Sequence, residues 1–212
     1  MKYFIDLGSH LFESVNLFKE VIPNASSYHV VSFEAAYDGD LKDSIDEKLQ
    51  TSDFENYFAS FTFLPLVVAP TTGVSSFYRD RRYPLSESST TVPGKLSRLY
   101  DTQLKASISL SGFLNAFIRP DDYVILKSDI EGAEYDLIKH LHITRSLSLV
   151  DLIFIELHAR KISKTIEDDL DLLKIVSEYN VPIFSWDAVP LDGKVIRPSR
   201  ITSSTLPRLY KY

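Results

Sequence analysis

Apolar residues along this chain fall into short runs, and each run is followed by a stretch with helical spacing. Tyr3-Phe4-Ile5 precedes Leu11, Val15, Leu17, Phe18, Val21 and Ile22, which lie on one face of a helix closed by Pro23. The same alternation continues through the chain. It predicts strands near 2–6, 28–33, 61–68, 123–128, 151–157 and 181–186, and helices near 10–22, 38–49, 107–117, 132–141 and 164–178. Leu206 to Tyr210 is expected as a last strand, added antiparallel at an edge. Strands that alternate with helices imply an α/β fold, with a mostly parallel central sheet and helices on both faces.

The polar residues that interrupt this pattern sit where strands end. Tyr123-Val124-Ile125-Leu126 runs into Lys127-Ser128-Asp129-Ile130-Glu131-Gly132-Ala133-Glu134, and a helical pattern follows at once. A buried strand therefore delivers Asp129 and Glu131 to a tight turn. In its plain reading Asp129 caps the helix while Glu131 and Glu134 favour its first turn through the dipole. Repulsion between carboxylates packed so closely argues for more. The first strand likewise ends in Asp6-Leu7-Gly8-Ser9-His10, where Gly8 lets the backbone approach a ligand beside a helix N-terminus. The second, His29-Val30-Val31-Ser32-Phe33-Glu34, ends in an acid placed as a ribose-binding carboxylate is in a dinucleotide fold. Each signal alone is weak; the three in this order are far more specific.

With these residues the sequence resembles the FkbM family of S-adenosylmethionine-dependent methyltransferases. The resemblance is carried by Phe4-Ile5-Asp6-Leu7-Gly8-Ser9, Ser32-Phe33-Glu34, Leu126 to Glu134, and Ile153-Phe154-Ile155-Glu156-Leu157-His158, with weaker matches over 67–78 and 108–114. It covers residues 3 to 160, and Asp-x-Glu-Gly-x-Glu is its most specific part. It implies a Rossmann-like methyltransferase fold and S-adenosylmethionine as cofactor. The implied cofactor-binding residues are Asp6, Gly8, Ser9, His10, Ser14, Glu34, Asp129 and Glu131, although packing or a loop hydrogen bond is the plainer role for His10. One position departs from the family pattern. Phe12 stands where a second Gly is expected, which puts bulk near the methionine end of the cofactor. Either Ser14 takes over a carboxylate contact, or the chain is a catalytically silent module that serves as a binding or assembly partner. An NAD-type dehydrogenase is disfavoured, because the first loop lacks the G-x-G-x-x-G spacing.

Composition narrows the setting. The 212 residues, 44% hydrophobic and 12% aromatic, suit one domain over 1–212. Without cysteine there is no disulfide, thiolate metal site or Cys nucleophile. No charged segment followed by an apolar one marks a secretory signal, and no apolar run reaches the ~18 residues of a membrane span, so a cytoplasmic protein is expected. A net charge of -6 opposes broad electrostatic binding of nucleic acid. The group Arg79, Asp80, Arg81 and Arg82, flanked by Tyr78 and Tyr83, keeps a local nucleic-acid contact open. A long inserted loop is expected at about 77–106. It is polar, holds Pro84, Pro93 and Gly94, and is read as a lid or acceptor-binding loop or, equally, as a surface excursion.

Methyl transfer to a hydroxyl needs in-line placement and a group to remove the proton. Asp129 is expected in the crevice near the methyl group. Glu156 and His158, two apart at the next strand end, share one face. His158 then serves as base with Glu156 orienting it, so Asp129, His158 and Glu156 are the candidate catalytic residues. The same three could instead hold a divalent cation that lowers the acceptor's pKa. The plain alternative for His158 is a solvated strand-end residue. The acceptor is expected to be a small molecule or glycan: a sugar, lipid, metabolite or nucleotide hydroxyl.

Overall fold

The computed structural model describes residues 1–80, 85, 88–93, 100–186 and 200–202. Its elements in chain order are β1 (Lys2–Leu7), α1 (Glu13–Val21), β2 (His29–Phe33), α2 (Gly39–Thr51), α3 (Phe54–Tyr57), β3 (Ser60–Leu64), β4 (Val67–Ala69), β5 (Gly73–Asp80), β6 (Tyr100–Ser109), α4 (Leu110–Phe117), β7 (Tyr123–Ser128), α5 (Glu134–Ile143), β8 (Leu152–Ile155), α6 (Ile166–Ser177) and β9 (Ile183–Ser185).

Six strands form a parallel sheet in the order β3-β2-β1-β7-β8-β9. Successive residues of β1 point to opposite faces, and both faces are covered. Ile5 and Leu7 pack with Val124, Leu126 and Ile153 under α4, α5 and α6. Phe4 packs with Val30, Ile125 and Phe154 under α1 and α2. This double burial is why the central strands read as unbroken apolar runs. Strand order reverses at β1, between β2 and β7, so a crevice opens beyond the carboxyl ends of these strands.

The expected Rossmann-like sheet is therefore present, with differences that have local causes. The strand expected over 61–68 is two strands in two sheets. Pro65 has no N–H to continue the ladder, and Leu66 donates to the Leu64 carbonyl at 2.9 Å, turning the chain away. Beyond that turn β4 pairs parallel with β6, and β6 pairs antiparallel with β5 from Gly73↔Ser107 to Asp80↔Tyr100. Residues 77–80 and 100–106 of the expected loop are thus strand. The resemblance over 67–78 implies a hairpin strand over most of β5; β6 was hidden because Leu104 faces outward while Gln103, Lys105 and Ser107 turn inward, which inverts the usual pattern. Strand β6 also takes the first residues of the helix expected at 107. That helix begins at Leu110, where the Ser109 hydroxyl accepts a hydrogen bond from the Gly112 amide at 3.2 Å.

Residues Leu206 to Tyr210 lie outside the described residues. Arg200 and Ile201 do run antiparallel beside β9, with the Ile201 amide donating to Ile183 at 2.9 Å. Among the described residues no helix is long and apolar enough to cross a membrane.

Candidate active site

Gly8 draws three strand ends together. Its φ of +73° is a backbone conformation that favours glycine. Its amide and that of Ser9 both donate to the Phe33 carbonyl, at 2.9 and 3.0 Å, and Asp129 donates to the Leu7 carbonyl at 3.1 Å. A Cβ on Gly8 would lie 2.0 Å from the Asp129 carbonyl oxygen, so no other residue fits without spreading β1 from β7. Beneath this junction Lys127, 1% exposed, donates to the Gly8 carbonyl at 2.9 Å and faces Asp6 at 3.2 Å and Asp129 at 3.6 Å. Burial would strip its proton, but the charges of Asp6, Asp129 and Glu156 outweigh that and raise its pKa. The lysine is a charged pin between the two turns.

Above the junction is an open cleft. Gly8, His10, Glu34, Asp129 and Glu131 all line it. The Glu34 carboxylate accepts from the His10 amide at 2.9 Å and the Ala36 amide at 2.7 Å, which fixes its position at the end of β2. Asp6, Ser9 and Ser14 are buried beneath the cleft and are absent from its lining. The Ser9 hydroxyl is spent on the Phe33 carbonyl at 3.2 Å, and Ser14 faces Asp6. The β5–β6 hairpin closes the far side. Thr90 exchanges backbone hydrogen bonds with Tyr78, and its hydroxyl donates to the Glu131 carbonyl at 2.7 Å, so residues 89–91 form a wall over the acidic turn.

The acidic turn is built around Glu134. Glu131 and Gly132 take φ values of +56° and +108°, and a Cβ on Gly132 would meet Ile162 at 2.5 Å. This folding brings the Ile130 and Gly132 amides onto the buried Glu134 carboxylate, each at 2.8 Å. Asp129 is not the helix cap; the α5 N-cap is Ala133, with no side-chain bond. Glu134 also takes the Nδ1 of His158 at 3.0 Å.

The other imidazole nitrogen, Nε2, faces Glu156 at 3.2 Å, Glu131 at 3.6 Å and Asp129 at 3.7 Å. His158 is 1% exposed, so the plain reading of a solvated strand-end residue is corrected: the chain bends after β8 and tucks the ring under the acidic turn. Glu134, rather than Glu156, holds Nδ1 and orients the ring. Burial lowers the His158 pKa, but Glu134, Glu156 and Glu131 raise it well above the usual value. Burial pushes the Asp129 carboxyl up to about 6, against the pull of Lys127. The Glu156 carboxyl is also raised by burial, yet His158, Lys161 and Lys127 outweigh this and hold it below its usual range. Lys161 lies 3.6 Å from Glu156 and 3.7 Å from Glu131. The three cation candidates Asp129, Glu156 and His158 therefore belong to one cluster on the flank of the cleft.

The chain matches the family model described as Methyltransferase FkbM domain over residues 7–181. It belongs to the FkbM methyltransferase family. No curated protein matches the chain.

Membership in the FkbM family implies S-adenosylmethionine as methyl donor, and the cleft fits such a molecule. Gly8 exposes backbone where a Cβ would collide, and Glu34 presents a fixed carboxylate to the same space. Phe12 is not among the residues that line the cleft. Phe12 takes a φ of +64°, the conformation that explains why glycine suits this position in an FkbM protein, but its ring is fully buried on the opposite side. There it meets Phe54, Phe61 and Phe63 edge-on, at centroid distances of 5.7, 5.7 and 5.5 Å.

Sequence reasoning gave no role to Lys127, Lys161 or Thr90 and left Glu134 as a dipole residue. A lysine inside an apolar central strand was a readable signal, since lysine is rarely buried unless paired. The positions of Lys161 and Thr90 depend on loops whose course no local pattern encodes.

Proposed function

We propose that this FkbM protein transfers a methyl group from S-adenosylmethionine to a hydroxyl of a sugar, lipid, metabolite or nucleotide. We also place the reaction in the cytoplasm, a setting that demands none of the disulfides a cysteine-free chain cannot form. The observation that carries this reading is the position of Asp129, which borders the cleft on one side and the His158 cluster on the other.

The bound donor supplies an already activated methyl carbon. The chain's own residues then place the two reactants and receive a proton. Glu34 takes the ribose hydroxyls through charge-assisted hydrogen bonds, and the Gly8 turn admits the donor's amino-acid part. Asp129 accepts the acceptor's proton; a carboxyl held at about 6 is close to the operating pH, where a general base works best. Lys127 keeps Asp129 oriented, and residues 89–91 limit water on the open side. The silent-module alternative drew on Phe12 alone, and a ring buried in the core gives it no support.

Turnover can be tested with labelled S-adenosylmethionine and a panel of hydroxyl acceptors. Asp129→Asn and His158→Ala should each lower the rate about 10²–10⁴-fold while donor binding persists. Normal turnover in both variants would remove them from the catalytic centre.

A further inference from the structure

The geometry points to a divalent-cation site centred on Nε2 of His158. This nitrogen is fully buried, faces three carboxylates as ion-pair partners, and has no well-aligned hydrogen bond to any of them. A buried N–H without a well-aligned acceptor is costly, and a cation that took the place of the Nε2 proton would relieve that cost while keeping positive charge among the carboxylates.

The surrounding atoms have the layout of a metal site. Nε2 lies 3.2 Å from Glu156, 3.6 Å from Glu131 and 3.7 Å from Asp129. Adjacent donors on an octahedral ion with bonds of about 2.1 Å stand ~3 Å apart, and the separations of the three carboxylates from Nε2 are near that value. The opposite nitrogen, Nδ1, is held by Glu134, and Glu134 is held by the Ile130 and Gly132 amides. A carboxylate that fixes a histidine's second nitrogen is the usual support behind a metal ligand. For that reason Glu134 is the positioning residue and Asp129, Glu131 and Glu156 are the ligands, although Asp129, Glu134 and His158 are the residues whose donor atoms all lie within 4.8 Å of one another.

Lys161 supplies a second observation. Its ammonium lies between Glu131 and Glu156, within 3.7 Å of each, and its side chain is 47% exposed. It occupies the mouth of the carboxylate set and is free to swing into solvent when a cation enters. One imidazole with several carboxylates suits Mg²⁺ or Mn²⁺. Because Asp129 and Glu131 also line the cleft, the cation would stand where a hydroxyl entering the cleft could reach it and be acidified, and with the cation bound Asp129 would serve as its ligand rather than as the proton acceptor. That role rests on the methyl-transfer reading; cation binding does not.

Mn²⁺ provides the test. Titrated into the full chain, it should lose its free six-line electron paramagnetic resonance signal, and the bound ion should show ¹⁴N modulation from the imidazole. Mg²⁺ should displace it. His158→Gln should abolish the ¹⁴N modulation. In case that buried variant fails to fold, two exposed positions carry the same question: Glu156→Gln should weaken binding, and Lys161→Met should strengthen it several-fold. Glu134→Gln should cost about 10–100-fold in affinity. The proposal is overturned if Mn²⁺ stays free at millimolar concentration, or if it binds without ¹⁴N modulation. S-adenosylmethionine binding without Mn²⁺ binding refutes the cation site and leaves the methyl-transfer reading standing; Mn²⁺ binding without S-adenosylmethionine binding does the reverse.

Discussion

Replacing Phe12 by glycine would restore the residue expected from the family, yet it should harm this protein. The ring is completely buried and makes three edge-to-face contacts at 5.5–5.7 Å. Truncating such a side chain costs about 3–5 kcal/mol, cavity included. Glycine at a φ of +64° recovers about 1–2 kcal/mol of backbone strain, so the net loss should be about 1–4 kcal/mol. Phe12→Ala keeps the strain and should be the less stable of the two variants. Urea denaturation followed by fluorescence of Trp186, the sole tryptophan, reads this directly, because its ring is 1% exposed and packs on Phe154 at 4.5 Å. Calorimetry with S-adenosylmethionine on the folded variants reads the other half. If Phe12→Gly kept full stability and bound the donor tenfold more tightly, the ring would belong in the cleft and the packing argument would fail.

Gly8→Ala should cost at least as much stability, because its Cβ would overlap the Asp129 carbonyl at 2.0 Å; an unperturbed melting temperature would deny the close approach of β1 and β7. Asp169, pushed up to about 6 by burial despite its bond from Tyr135, with Asp168 and Glu134 adding to the rise and His158 opposing it, binds a proton more tightly folded than unfolded. Its contribution is therefore fully present below about pH 4 and lost as pH rises through about 6, at most ~3 kcal/mol. Asp169→Asn should thus gain stability relative to wild type between pH 4 and pH 7, and a constant difference across that range would contradict the assignment. Hydrogen exchange at Ser89 and Thr91 should slow when S-adenosylmethionine binds, since both line the cleft; equal exchange with and without ligand would make the strip a fixed wall.

The parallel sheet and the site-bearing turns were legible because each central strand is buried on both faces and ends in a short polar signature. Gly8, Glu34 and Asp129 could be singled out from local sequence for that reason, and all three border one cleft. Strand β6 was not, because its apolar Leu104 faces outward, although the resemblance over 67–78 did imply a hairpin strand where most of β5 lies. The direction of the Phe12 ring was also hidden. A left-handed backbone turns the side chain toward Phe54, Phe61 and Phe63, and those residues are distant in sequence. Likewise the Glu134–His158 pair spans 24 residues and forms only when the loop after β8 folds back under the acidic turn.

Calorimetric titration of S-adenosylmethionine into the wild-type chain and Glu34→Ala tests the central claim most directly. The donor should bind the wild type, and the variant, still folded, should bind about 1–3 kcal/mol more weakly through lost charge-assisted hydrogen bonds. Absence of binding to the wild type, or equal affinity in the two proteins, would contradict a donor site at the ends of β1, β2 and β7.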